Sequence, residues 1–453
     1  MAWVRRAWQA SAWIGGTVER VVRVETKTVD VTRWPALEKP SDVRGPAIAE
    51  VANSLRNAAR RIGLRLDFPD DTAAGEFDAP ARMVLLDPPA LWSRLSAAGV
   101  RGLAESYMAG EWTSPDLTSA IATVAPWVAE SSACTPSTHR MVRSRRSRAA
   151  RRRADEEVDL EDGLPGDLCA LYTDVTMSTS GAVFASGART RRHLADGTEL
   201  IVLDPPGSRP FRTDLADAQR RSAEMLLDLA GVEDSSHVLL APPGWGELPM
   251  RAAERGAHTR SVTTSTERLA MLGKRFSAAG LDDRIALAFQ PLSEVTGDFE
   301  ALIADEPAGA RGLTGLRHVL EAADRLVRPG GRVVVQTSVA SGRAVPALRE
   351  LADWQCEYIS NKAPVEDWSR LSELIADVRR LRVLGRVDIT AHHAETARLW
   401  REKFSVRGRD AAALGFDAVY RRMWTFYLAA TEARLRSGWV DSVQLVLHAG
   451  DYR

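Results

Sequence analysis

Cysteine is scarce in this chain: three in 453 residues, Cys134, Cys169 and Cys356. Their separation fits neither a disulfide framework nor a zinc-ligand spacing, so the chain reads as one folded in a reducing, cytoplasmic setting. Each cysteine is expected to behave as a small apolar residue. Net charge is also missing, because sixty basic side chains are balanced by sixty acidic ones. That removes any global attraction to nucleic acid or membrane and leaves only local charge to supply one. No apolar run approaches the ~20 residues of a membrane span. The first sixteen residues hold Trp3, Trp8 and Trp13 beside Arg5 and Arg6, without the unbroken apolar stretch of a cleaved signal. Two readings stand for them, a helix packed on the body of the protein and a short interfacial anchor.

What is present is enough apolar material for two to three domains, 45% hydrophobic against 26% charged. Over residues 46–64 the apolar positions Ile48, Val51, Leu55, Ala58, Ala59 and Ile62 recur at helical spacing. Short strands are expected at 64–68 and 82–86, then a helix over 88–98 opened by Asp87-Pro88-Pro89. Residues 140–153 carry eight arginines and no acid, a density that reads as a solvated linker or as a contact with anionic lipid headgroups. Nucleic acid is the poorer partner, for want of interleaved aromatics to stack on bases.

The organising stretch is 237–248, where the apolar run His237-Val238-Leu239-Leu240 stops at Ala241-Pro242-Pro243-Gly244-Trp245-Gly246 and leads into a helix. Strands at 259–263, 285–289, 301–304 and 332–336 alternate with helices at 266–279 and 316–326. This is the pattern of a mostly parallel, doubly wound α/β sheet, which holds ligands beyond the carboxyl ends of its strands. A further segment at 185–212 carries a strand-like Leu200-Ile201-Val202-Leu203 and a turn at Asp204-Pro205-Pro206-Gly207.

Several stretches resemble the cyclopropane fatty acid synthase and mycolic acid cyclopropane synthase family of S-adenosylmethionine-dependent lipid methyltransferases. Gly102-Leu103-Ala104-Glu105-Ser106-Tyr107-Met108-Ala109-Gly110-Glu111-Trp112 is similar in length and order to that family's G-L-G-E-A-Y-M-x-G-x-W. The stretches 170–184, 394–404, 415–428 and 442–447 continue the likeness. The resemblance implies a Rossmann-like class I methyltransferase domain over 161–453, a smaller N-terminal α+β domain of lipid-binding type over 1–130, and an arginine-rich linker over 131–160. The retained aromatic and apolar residues Tyr107, Met108, Trp112, Phe184, Trp245, Trp400, Met423, Trp424, Phe426 and Tyr427 are each expected in the core.

The resemblance also implies a chemistry: methyl transfer from S-adenosylmethionine to the double bond of an acyl chain, with bicarbonate taking the proton. Cofactor-binding positions would be Gly244, Trp245, Gly246, Thr263, Ser265 and Gln290. The family's V-L-D-I-G-C-G-W-G turn, however, has Leu240 in place of its acid and Pro242 in place of its first glycine. Leucine cannot balance a sulfonium, and proline removes an N–H donor. The positions that would hold bicarbonate carry Gly181, Gly309, Gln336 and His393, so bicarbonate is not expected. His392 and His393 are read as solvated or capping residues, since neighbours on a helix point apart and make a poor metal pair.

The expectation is therefore a catalytically degenerate relative, peripheral on the inner face of the membrane. It would bind unsaturated acyl phospholipid or an active homologous subunit, as a homo- or hetero-oligomer. The alternative is an active methyltransferase in which Asp305, Glu306 or Glu247 supplies the missing carboxylate.

Overall fold

The computed structural model describes residues 29–40, 45–134, 163–185, 189–194, 197–342, 345–359 and 365–451. The N-terminal tryptophans and the arginine run at 140–153 lie outside the described residues, together with the anchor and linker readings attached to them.

Helix Pro46–Ala59 buries Val51, Leu55, Ala58 and Ala59 along one stripe, as its 3.6-residue apolar period requires. After it come β1 (Leu64–Asp67), β2 (Ala73–Ala74), β3 (Ala81–Leu85) and β4 (Trp112–Thr113), forming a four-stranded sheet in the order β2-β1-β3-β4. Between β3 and β4 lies a helix longer than its sequence suggests, Pro88–Ala109 rather than 88–98. Asp87 caps it by accepting from the Ala90 N–H. Gly99 breaks the helical dihedrals at φ 56°, ψ −131°, and the helix then resumes. A Cβ at 99 would come within 2.5 Å of Glu350 Oε2, the oxygen that accepts from Val100 N at 2.7 Å. The kink thus admits a buried carboxylate from 250 residues away, a partner that no local pattern announces.

The second sheet has nine strands: β5 (Arg189–His193), β6 (Glu199–Leu203), β7 (His237–Leu240), β8 (His258–Thr263), β9 (Ile285–Phe289), β10 (Phe299–Asp305), β11 (Val327–Ala340), β12 (Leu381–Asp388) and β13 (Val440–Ala449). Their order is β5-β6-β12-β13-β11-β10-β7-β8-β9. β7, β8, β9, β10 and β11 run parallel to one another, and β13 enters antiparallel between β11 and β12. The sheet is therefore α/β and mostly parallel, as expected. The strand order reverses where β10 and β7 lie side by side, which opens a crevice at their carboxyl ends.

Residues 185–212 add β5 and β6 to one edge. Only β6 was legible in the sequence; β5 is Arg-Thr-Arg-Arg-His with every residue exposed, so it has no apolar alternation to read. Its charge suits an edge strand, since arginines there discourage pairing with another chain.

The small sheet's helices share one apolar core with the C-terminal helices. Met108 accepts from Trp354 Nε1 at 3.3 Å and its carbonyl accepts from Arg422 Nε at 2.6 Å. Glu432, on helix Ala418–Arg436, is 3% exposed. It accepts from Thr118 at 3.0 Å, Arg401 at 2.8 Å and Arg436 at 2.9 Å. Tyr107, Met108, Trp112, Met423, Trp424 and Phe426 all join this core, as expected. None of the helices among the described residues is long and apolar enough to cross a membrane.

Candidate functional site

The cleft lies at the carboxyl ends of β7, β10 and β11, where the switch point of the sheet places it. Its floor is the turn after β7, with Ala241-Pro242 in cis and both Gly244 (φ 57°) and Gly246 (φ 103°) left-handed. A Cβ at 246 would press on Leu272 at 2.9 Å and Phe276 at 3.1 Å, so that glycine is demanded by close helix packing. A Cβ at 244 would meet nothing within 4 Å, so its backbone faces open space. Leu240 is fully buried and offers no charge at the strand end.

Trp245 is 2% exposed and its indole Nε1 has no hydrogen-bond partner among the described residues. The Arg268 guanidinium stands 4.5 Å over its ring, an attraction between a cation and the negative ring face. A buried arginine thus packs on the turn that the resemblance reads as cofactor-binding. Thr263, Ser265 and Gln290 do not line the cleft. Ser265 caps helix Thr266–Ala278 by accepting from Arg268 N at 3.2 Å, Thr263 Oγ1 accepts from Ser265 N at 3.1 Å, and Gln290 accepts from Arg260 at 3.2 Å.

Four carboxylates do line the cleft: Glu247, Asp305, Glu306 and Glu366. Arg251 at 2.9 Å and Arg220 at 3.7 Å neutralise Glu247. Asp305 accepts from Ser180 Oγ at 2.6 Å through one oxygen, while its Oδ1 is buried without a partner. Burial raises its pKa to about 6, against the Ser180 hydrogen bond that lowers it.

The strap 178–184 crosses the strand ends and carries Gly181 to the positions the sequence linked with it. Gly181 O accepts from Ser222 Oγ at 2.9 Å and from Gln336 Nε2 at 3.3 Å. Gln336 in turn accepts from Gln444 Nε2 at 2.7 Å. A Cβ at 181 would lie 2.8 Å from Cγ of His393, 3.0 Å from its Cβ and 3.1 Å from its Nδ1, so the imidazole fills that space. His393 Nδ1 is 2.9 Å from Ser442 Oγ. Burial drives the ring's pKa down to about 3, helped by the Arg434 charge, so it is neutral. Gly181, Gln336 and His393 therefore meet one another. Gly309 falls on helix Pro307–Leu326.

The two histidines are not solvated or capping residues: His392 is 0% and His393 5% exposed. Helix Thr390–Val406 packs between sheet and core, so both positions are enclosed. They do point apart. His392 Nδ1 accepts from Phe184 N at 3.1 Å, so its Nε2 donates to Asp204 O at 2.9 Å. No group able to hold a metal ion is found among the described residues.

The far wall contains residues the sequence reading missed: Thr337 on β11, and Tyr427, Thr431 and Arg434 on helix Ala418–Arg436. Their spacing of four and three puts the last three on one helical face, a signal that was available. Trp400 and Tyr427, expected only as core, also line the cleft, as does Trp245, expected both in the core and as a cofactor-binding position.

The family model for mycolic acid cyclopropane synthetase matches residues 150–445. The chain is 36% identical over 430 residues to the tuberculostearic acid methyltransferase UfaA1 of Mycobacterium tuberculosis (strain ATCC 25618 / H37Rv), covering 92% of this chain and 96% of that one. In fold it is similar to the cyclopropane synthase MmaA2 from Mycobacterium tuberculosis, with a TM-score of 0.52, 19% identity, and coverage of 65% of this chain and 99% of that one. It is also similar to the mycolic acid cyclopropane synthase CmaA1 complexed with SAH and CTAB, with a TM-score of 0.53, 18% identity, and coverage of 64% and 96%.

Proposed function

The chain belongs to the mycolic acid cyclopropane synthetase family, and from that membership we propose that it is a non-catalytic member, retaining the family's acyl-lipid cleft while methyl transfer has been lost. The observation that carries this reading is the closed cluster at Gly181. Where the resemblance puts polar groups around bicarbonate, the His393 ring occupies the space of a side chain at 181, and Gln336 is held by Gln444. These residues do not fit bicarbonate. Nor does the turn fit S-adenosylmethionine as the resemblance would hold it. Leu240 provides no counter-charge and Pro242 provides no N–H. Loss of one charge-assisted buried bond alone is worth ~1.5–3 kcal/mol, roughly ten- to a hundredfold in affinity.

Its role would then be to present or store an acyl lipid for an active homologous subunit at the membrane face. Calorimetric titration with S-adenosylmethionine tests the reading. No heat of binding is expected up to millimolar cofactor, and micromolar affinity overturns it. Mass spectrometry of lipid that copurifies with the chain tests the retained role.

A second reading is active S-adenosylmethionine-dependent methyl transfer to an acyl double bond. It is favoured by the unpartnered Oδ1 of Asp305, which shares the cleft with the open face of Gly244. In that case the cofactor supplies an electrophilic methyl, and Asp305 would balance its charge in place of Leu240.

A further inference from the structure

We propose that Arg434, Thr431 and Thr337 form a carboxylate-binding subsite at the inner end of the cleft, and that its ligand is the free carboxylate of a fatty acyl chain. Three polar atoms on residues lining this cleft are without partners among the described residues: Arg434 Nε, Thr431 Oγ1 and Thr337 Oγ1. Thr337 is 1% and Thr431 4% exposed. A hydroxyl buried this deeply is ordinarily bonded, and leaving it unpaired costs about as much as a lost hydrogen bond. Three such atoms facing one cleft describe a place for a ligand that accepts several hydrogen bonds at once.

The sign of the ligand follows from the cation. Arg434 forms no ion pair among the described residues, although Asp305, Glu306 and Glu366 border the same cleft. It stands close enough to His393 to push that ring's pKa down. His393 is neutral and brings no competing charge. A guanidinium with flanking hydroxyls matches a planar carboxylate, which accepts through two oxygens. The remainder of the ligand is apolar on the same lining: Trp400, Tyr427 and Val339 line the same cleft, with Trp400 4% and Val339 5% exposed. A charged head against Arg434 and an apolar tail along these walls is an ionised fatty acid, not a phospholipid ester.

This inference deepens the acyl-lipid reading and rests on it only for the tail. Oleate below its micellar range, methyl oleate and acetate are titrated into the full-length protein, with Trp fluorescence and calorimetry as readouts. Wild type is expected to bind oleate at least tenfold more tightly than its uncharged ester, since a charge-assisted bond is worth roughly ten- to a hundredfold. R434Q is expected to lose that preference by the same factor while binding the ester as wild type does. T431V, which keeps the side-chain volume, should weaken oleate alone by about five- to tenfold, and R434K should restore part of the loss. Equal binding of acid and ester, or an unchanged oleate affinity in an R434Q protein with a wild-type unfolding curve, overturns the subsite. Arg434-dependent binding of acetate without binding of oleate leaves the subsite standing and overturns the acyl-lipid reading.

Discussion

Replacing Gly181 by alanine tests the closure of the site with one methyl group. Gly181 has no left-handed φ, so alanine is not opposed by the backbone and the effect is steric. Its Cβ would lie 2.8 Å from Cγ of His393 and 3.1 Å from Nδ1. The imidazole cannot retreat without giving up its 2.9 Å contact with Ser442 Oγ and its edge contact with Trp400, centroids 6.1 Å apart. Overpacking of this kind costs ~1–3 kcal/mol, and orphaning a buried polar pair a further ~1–3. A total of about 2–6 kcal/mol is a large share of the ~5–15 kcal/mol that holds a typical protein folded. The assay is urea unfolding at pH 8 of wild type, G181A, H393A and the double variant, read by two probes whose transitions coincide. With the ring removed, the added methyl has room, so G181A in the H393A background should cost under ~0.5 kcal/mol. The coupling between the two positions is then ~2 kcal/mol or more. A G181A protein within ~0.5 kcal/mol of wild type, or no coupling, would refute the claim that His393 occupies this space.

Two further outcomes follow from buried charge. His393 has a folded pKa of about 3 against 6.5 unfolded, so the stability it confers is full above pH 6.5 and is lost as pH falls toward 3. Asp305 is raised to about 6 from 3.8, so its contribution is full below pH 3.8 and is lost as pH rises through 6. The two oppose each other between pH 3.8 and 6. D305N should therefore steepen the loss of stability on acidification in that window, and H393N should reverse its sign; unfolding curves at half-unit pH steps that do not differ would contradict both assignments. E432Q removes the carboxylate that accepts from Arg401, Arg436 and Thr118. It should cost about 3 kcal/mol in urea unfolding, whereas an unchanged midpoint would mean that these charges are solvated.

The elements of the α/β sheet were legible because parallel strands buried on both faces are written as short apolar runs between amphipathic helices. His237–Leu240 and Phe299–Asp305 carry that signal plainly. The turn's departure from the family's pattern was legible too, since Leu240, Pro242 and Pro243 can be read against the glycines and acid of the resembling motif. Other features had no local signature. Strand β5 is wholly polar, and the helix running through Gly99 depends on a carboxylate at 350.

By itself, then, the sequence determined the fold, the place of the cleft and the family resemblance, because those follow from periodicity and from motifs contiguous in the chain. Only the tertiary structure decided what the altered positions do. Gly181, Gln336 and His393 come from a strap, a strand and a helix, and their meeting depends on distances across 212 residues of chain. Whether a glycine leaves a hole or admits a ring is settled by what packs on it, and here it admits His393. The same holds for Arg434: its charge is plain in the sequence, but its lack of an ion-pair partner among the described residues, beside two unbonded threonines, exists only once the helix is laid against the sheet.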